Sequence, residues 1–247
     1  MRNCGDFIMI RLTLIQGDCL KVLPKLSDES IDAVITDPPY NIGKADWDNV
    51  NIDFFRKWLK ECKRIVKHTI LLFCSHIFVK DIRNICEDEL GLKYKMMLIW
   101  DFREKCFTPN YNYKCGFDTI LFFVKTDDYT FNRPYDYSQC WNILKFTRVQ
   151  SNRKEGNKAA NMKYHPTQKP TDLMKHLIKI HSNEGDTILD PFLGSGTTMK
   201  ACLELNRNCV GIEISKEHCD IARKRLNWGS SLGNVQFNYY AKEGYKC

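Results

Sequence analysis

Residues 187–198 read TILDPFLGSGTT, and this stretch decides the fold. An apolar strand ends in Asp190, the chain turns through Gly194-Ser195-Gly196, and a helix opens at Thr197. The glycines let the backbone approach a ligand closely, and a helix N-terminus favours anionic groups. A dinucleotide fingerprint would need glycine at 199, where Met199 stands, so the pattern does not call for a pyrophosphate. Taken alone, a bare G-x-G is an ordinary tight turn. The next apolar run, CVGIEI, carries Glu213, 23 residues after Asp190. An acid at that distance, at the end of the following strand, is how doubly wound folds hold a ribose diol.

Working outward, short strand-like runs alternate with helical patterns, which predicts βαβ units and a mostly parallel sheet. The expected strands are 12–16, 31–36, 69–73, 95–100, 119–124, 187–189 and 209–214. The expected helices are 53–67, 79–89, 171–182, 197–205 and 216–227. The run 94–100 followed by 117–124 reads as an antiparallel pair at a sheet edge. Residues 126–163 fit no template and suit an inserted recognition segment.

A second strand end is unusual. Residues 36–43 read TDPPYNIG, so a buried strand breaks into a carboxylate, two prolines and an aromatic ring.

Bulk properties narrow the function classes. A chain of 247 residues fits one large α/β domain or two small ones, and 43% hydrophobic with 27% charged residues is ordinary globular composition. No apolar run approaches a membrane span and the N-terminus lacks a signal pattern, so a cytoplasmic, DNA-associated location is expected. The twelve cysteines include no C-x-x-C pair, which argues against a zinc site or a disulfide scaffold. His68, His76 and His165 read as structural or surface residues, and no metal is expected. Most of the net charge of +7 sits between Lys145 and Lys169, where seven basic residues face one acid, Glu155. A solvated loop is the plain reading of such a run. The interleaved Phe146, Tyr164 and amides favour a nucleic-acid contact through Lys145, Arg148, Arg153, Lys154 and Lys158.

These motifs together resemble the amino-methylating DNA methyltransferases, the family that modifies adenine N6 or cytosine N4. DPFLGSGTT is similar to their S-adenosylmethionine loop, DPPY to their catalytic motif, and HPTQKP (165–170) to the motif before their methionine-side helix. Asp18, closing RLTLIQGD, resembles the acid facing the cofactor's adenine. Catalytic motif, basic segment and cofactor loop follow in the order of the permuted β group, and the resemblance spans about residues 12–227.

The resemblance implies a Rossmann-like, S-adenosylmethionine-dependent methyltransferase fold, α/β, with a mostly parallel seven-stranded sheet and an antiparallel edge hairpin. It implies one domain over 1–227 with a target-recognition insert at about 126–163; the tail 228–247 has no reading. The cofactor residues implied are Asp18, Lys169, Asp190, Pro191, Phe192, Gly194, Ser195, Gly196, Thr197, Thr198 and Glu213. The catalytic residues implied are Asp37, Pro38, Pro39 and Tyr40. Lys169 and Pro170 also simply open a helix, with Thr171 and Asp172 in capping positions. Residues 101–110, DFREKCFTPN, depart from the family pattern, so a target sequence does not transfer.

The chemistry suits DPPY. An exocyclic base amine is a poor nucleophile because its lone pair is delocalised into the ring. The Asp37 carboxylate and the Pro38 carbonyl can accept its two N–H groups and stabilise the charge that grows on nitrogen. The prolines stiffen the turn, and Tyr40 offers a stacking face, with a residue near Trp47 closing the other side of the base. The expected activity is methylation of N6 of a flipped-out adenine in a specific DNA sequence. Cytosine-N4 methylation is the alternative, followed by an rRNA or protein-glutamine methyltransferase and a non-catalytic nucleic-acid-binding protein. Cytosine C5 chemistry would need a Pro-Cys nucleophile, which is absent. The partners expected are double-stranded DNA, a cognate restriction endonuclease and a second copy of the chain.

Overall fold

The computed structural model describes residues 9–39, 51–102, 115–134, 140–149, 168–230 and 233–241. The elements in chain order are β1 (Ile10–Gln16), α1 (Cys19–Val22), β2 (Ile31–Thr36), α2 (Ile52–Ile65), β3 (Val66–Cys74), α3 (Val79–Asn84), β4 (Lys93–Asp101) and β5 (Phe117–Val124). They continue with β6 (Ile143–Lys145), α4 (Thr171–His181), β7 (Thr187–Asp190), α5 (Thr197–Glu204), β8 (Asn208–Glu213), α6 (Lys216–Arg225) and β9 (Val235–Ala241). Among the described residues no helix is long and apolar enough to cross a membrane.

The strands form one sheet in the order β6-β4-β5-β3-β2-β7-β8-β1-β9. Among the described strands only β5 runs against its neighbours, pairing antiparallel with β3 and with β4. The central strands are apolar at nearly every position because helices cover both faces, as a parallel sheet requires. Side chains therefore sort by alternation. On β3, Leu71 and Phe73 face one core with α4, α5 and α6. Ile70, Leu72 and Cys74 face the other with α1, α2 and α3.

Helix α2 shows why its sequence is helical. Asn51 caps it by accepting the Phe54 N–H at 3.0 Å, and Phe55, Trp58, Leu59, Cys62 and Ile65 form its buried stripe. The helix was expected to reach residue 67. It ends at Ile65, because Val66 is already extended (φ −82°, ψ 142°) and pairs with Ile31.

The expected fold class holds, with two corrections. Among the described residues nine strands stand where seven were expected. β6 is only three residues long, and β9 (VQFNYYA) lies in the tail, where alternating polar residues hide a strand from an apolar-run criterion. The β4–β5 pair is antiparallel as expected, but β6 lies beyond β4, so that pair is not the edge.

Strand order positions the site. From β2 the chain moves outward to β3 by way of α2, and from β7 it moves the opposite way to β8 by way of α5. β2 and β7 are parallel neighbours, with Ala33 opposite Ile188 and Val34 opposite Leu189. Their carboxyl ends border the topological switch point, the crevice where ligands bind in open α/β sheets. Asp32 secures the other end of this pair, accepting the Thr187 N–H at 2.8 Å.

Candidate active site

A cleft of about 1170 Å³ opens at the carboxyl ends of β2 and β7, lined by Asp18, Asp37, Phe54, His76, Asp190 and Glu213 among others. The two motif-bearing strand ends meet there. Thr36 Oγ1, one residue before Asp37, donates to Asp190 Oδ1 at 2.7 Å. The TDPP turn and the cofactor loop are thus joined across 154 residues of sequence.

Asp190 is buried, and its oxygens also accept from Phe192 N at 3.1 Å and from Thr198 Oγ1 at 2.5 Å. These bonds shape the loop from inside and fold it onto the start of α5. Burial pushes the Asp190 carboxyl up to about 6, against the three hydrogen bonds that favour its charged form. The loop needs its glycines for two reasons. Gly194 and Gly196 have φ of +56° and +82°, and a Cβ on Gly196 would lie 2.9 Å from the Cβ of Ala222.

Glu213 closes the floor of the loop. Its Oε2 accepts the Gly194 N–H at 2.8 Å and its Oε1 accepts the Ser215 N–H at 2.7 Å. His218 lies 3.6 Å from Oε1, and the carboxylate holds that imidazole above its ordinary pKa. A carboxylate here is informative about the ligand. It occupies the Gly194 amide, so that N–H is not offered to a phosphate. An acid at this strand end suits the ribose diol of S-adenosylmethionine.

Asp18 lies across the cleft and caps α1, Oδ1 accepting the Leu20 N–H at 2.9 Å. Phe192, on the loop, packs edge-on to Trp58 with centroids 5.2 Å apart. Pro191, Ser195, Thr197 and Thr198 line the cleft with them. Arg225 on α6 binds this loop from behind. It donates to Thr197 Oγ1 at 2.8 Å, to Ser195 Oγ at 3.3 Å and to Thr171 Oγ1 at 3.1 Å. Thr171 was expected to cap α4. Pro170 holds the N-cap position without a side-chain bond, and the Thr171 hydroxyl serves Arg225 instead.

Lys169, expected on the cofactor, places its ammonium on two carboxylates. Nζ lies 2.9 Å from Asp37 Oδ2 and 3.3 Å from Asp118 Oδ2. Sequence reading passed over Asp118, because an acid inside an edge-like strand carries no motif. Its place opposite Trp100, next to the expected hairpin turn, was the available signal.

Pro38 is buried behind Asp37, and Pro39 lies beside it in the cleft wall. Beyond them the cleft is lined by His76, Phe117, Trp100, Phe102 and Arg148. The Arg148 guanidinium stacks 4.1 Å from the Phe102 ring centre. Lys145 lies on β6. Tyr40, Trp47, Arg153, Lys154, Lys158 and His165 lie outside the described residues. Among the described residues no cluster of side chains is arranged to hold a metal ion.

Comparison with known proteins agrees with this geometry. A family model described as DNA methylase matches residues 31–224. The chain is 36% identical over 238 residues to Type II methyltransferase M.HpaI of Haemophilus parainfluenzae, covering 87% of this chain and 74% of that protein. It is 30% identical to DNA adenine methyltransferase YhdJ of Escherichia coli, covering 88% and 83%. The crystal structure of the M1.HpyAVI–SAM complex superposes with a TM-score of 0.68 at 30% identity, covering 87% of this chain and 99% of that one. A match to the DNA methylase model over most of the chain, together with these relatives, makes the chain a member of the DNA methylase family.

Proposed function

We propose that this chain is an S-adenosylmethionine-dependent DNA methyltransferase that modifies N6 of adenine within a specific double-stranded sequence. The observation that carries this is the Thr36–Asp190 hydrogen bond, which sets the TDPP turn beside the glycine loop in one cleft. Further support comes from a relative named for adenine methylation and from a structural neighbour titled as a complex with SAM.

Bound S-adenosylmethionine would supply an electrophilic methyl group on a sulfonium. Glu213 would take the ribose hydroxyls and Asp18 would face the adenine. Asp190, with its oxygens committed inside the loop, acts by holding the loop's shape. Asp37 and the Pro38 carbonyl accept the two N–H groups of the target amine, which localises its lone pair. The localised lone pair would take the methyl group that the bound cofactor supplies, and one amine proton would pass through the Asp37 carboxylate to solvent, leaving a neutral secondary amine. A base in a duplex cannot reach this depth, so the target nucleotide flips out. Tyr40 is the proposed stacking partner.

Residues 1–227 are proposed as the methyltransferase domain, completed by β9 of the tail, and 126–163 as the target-recognition insert, which carries the basic segment and lends β6 to the sheet. A cognate restriction endonuclease and a second copy of the chain are proposed partners. The "Type II" names of several relatives support the first.

The test is to express the chain in a methylation-free host, digest the DNA and identify modified nucleosides by mass spectrometry. N6-methyladenine should dominate, and Asp37→Ala should lower the rate on the order of 100-fold or more while cofactor binding persists. A dominant N4-methylcytosine peak would overturn the adenine assignment, and methylation of RNA or protein alone would overturn the DNA substrate.

A further inference from the structure

Three charged side chains from distant parts of the chain converge at the end of β2. Asp37 follows β2, Asp118 sits on β5, and Lys169 precedes α4. The Lys169 ammonium touches both carboxylates, at 2.9 and 3.3 Å. Its side chain is only 9% exposed, against 25% for Asp37 and 21% for Asp118. The rings of Phe73 and Trp100 flank the ammonium, with centroids 5.1 and 5.6 Å away. Burial alone would push Lys169 down; Asp37 and Asp118 outweigh it and hold the amine above its ordinary pKa. A buried lysine with two carboxylates and two ring faces around it is a fixed positive point. Its neighbours Gln168 and Thr171 belong to a different network: Thr171 binds Arg225, and Gln168 lies beside Ser195.

We propose that Lys169 and Asp118 form a positioning pair for Asp37, fixing the orientation of its carboxylate while keeping the site net negative where the target amine becomes positive. The inference rests on the methyltransferase reading above.

Orientation comes first. A carboxylate turns about its terminal torsion in a broad well, and an acceptor that must meet one N–H of a base gains from losing that freedom. The ion pair on Oδ2 removes it. Charge comes second. A lysine alone on Asp37 would neutralise the acceptor and oppose positive charge growing on the amine nitrogen. Asp118 changes that balance, since two carboxylates and one ammonium leave the trio with one negative charge. Asp118 thus lets Lys169 act as an anchor without weakening Asp37 as an acceptor. Nothing here requires Lys169 or Asp118 to touch the base. They act through Asp37.

The experiment uses the full chain, unmethylated bacterial genomic DNA and a tritiated methyl donor. Asp118→Asn keeps the shape and removes the charge, and Lys169→Met removes the anchor. For each, the single-turnover rate of methyl transfer, the dissociation constant for S-adenosylmethionine by calorimetry, and the melting temperature are measured. The expected result for Asp118→Asn is a rate lower by roughly 10- to 100-fold, with cofactor affinity and melting temperature close to wild type. Asp118→Glu should recover part of the rate. Lys169→Met should lose rate at least as severely.

Asp118→Asn turning over at the wild-type rate would overturn the proposal. A rate loss matched by weaker cofactor binding or a lower melting temperature would also overturn it, because the role would then be structural. A wild-type chain that transfers no methyl to DNA would sink the functional reading, and the pair with it.

Discussion

Arg225 on α6 donates to Thr197 Oγ1 on α5 at 2.8 Å, and through Thr171 it also holds the start of α4. Three helices that carry no common motif are thereby fixed around one loop.

Arg225→Ala should loosen that loop. Charged hydrogen bonds of this kind are worth about 1.5–3 kcal/mol, and the hydroxyls left behind are partly buried. The expected outcome is a cofactor affinity roughly 10-fold weaker by calorimetry and a melting temperature lower by several degrees. Both values unchanged would remove Arg225 from the loop's support.

Two glycines separate backbone strain from steric contact. A Cβ on Gly91 (φ +65°) would meet no atom within 4 Å, whereas one on Gly196 (φ +82°) would meet the Ala222 Cβ at 2.9 Å. Gly91→Ala should cost about 1–2 kcal/mol in urea unfolding, the left-handed penalty alone. Gly196→Ala should cost more, by about 1–3 kcal/mol of overpacking, and should also weaken cofactor binding. Equal losses at the two positions would deny the close approach of α6 to the loop.

Asp190 gives a pH dependence with a definite sign. Its folded pKa of about 6 lies above the ordinary 3.8, so the folded chain binds the proton more tightly than the unfolded chain does. The associated stability is fully present below about pH 4 and is lost as pH rises through 6. Asp190→Asn keeps groups able to bond Thr36, Phe192 and Thr198 and cannot ionise. It should therefore be more stable than wild type above pH 6, by on the order of 1–3 kcal/mol, with the gain vanishing toward pH 4. Thermal melts across that range decide it, and a gain that grows toward acid would show the sign to be wrong.

The basic segment should set the salt dependence of DNA binding. Neutralising Arg148 alone should flatten the slope of log K against log salt by about one unit. Adding neutral substitutions at Arg153, Lys154 and Lys158 should bring the total to as much as ~4 units. Filter binding over a salt series, with cofactor affinity as the control, reads this directly. An unaltered slope would leave the segment as a solvated loop.

Much of this was legible in the chain because its chemistry sits at strand ends. Apolar runs that stop at Asp37, Asp190 and Glu213 mark both the sheet and the cleft, since buried strands must surface where the polar residues begin. What stayed hidden depends on neighbours distant in sequence. Asp118 has meaning only once Lys169 lies against it, 51 residues later. Arg225 reads as one more cation on a basic helix until Thr197 and Thr171 are seen in front of it. β9 escaped because a half-exposed strand at the sheet margin needs no apolar run, and its aromatic residues pair with β1 through backbone register. Asp190 was expected among the cofactor contacts. That its carboxylate is turned inward follows from Thr36, which only the β2–β7 pairing brings near.

That pairing also constrains how the chain acquires its shape. β1 finds its partners in β8 and β9, and Thr36 of β2 meets Asp190 of β7 across 154 residues, so neighbours in the sheet come from segments far apart in sequence. During synthesis β1 leaves the ribosome well before the strands it pairs with among the described residues, β8 and β9. Long-range parallel pairing of this kind is slow and exposes sticky strand edges meanwhile. The cleft cannot exist in a half-made chain, so ligand that binds it acts on the completed sheet alone, and truncation anywhere before β8 should yield aggregation-prone material in place of a weakly active fragment.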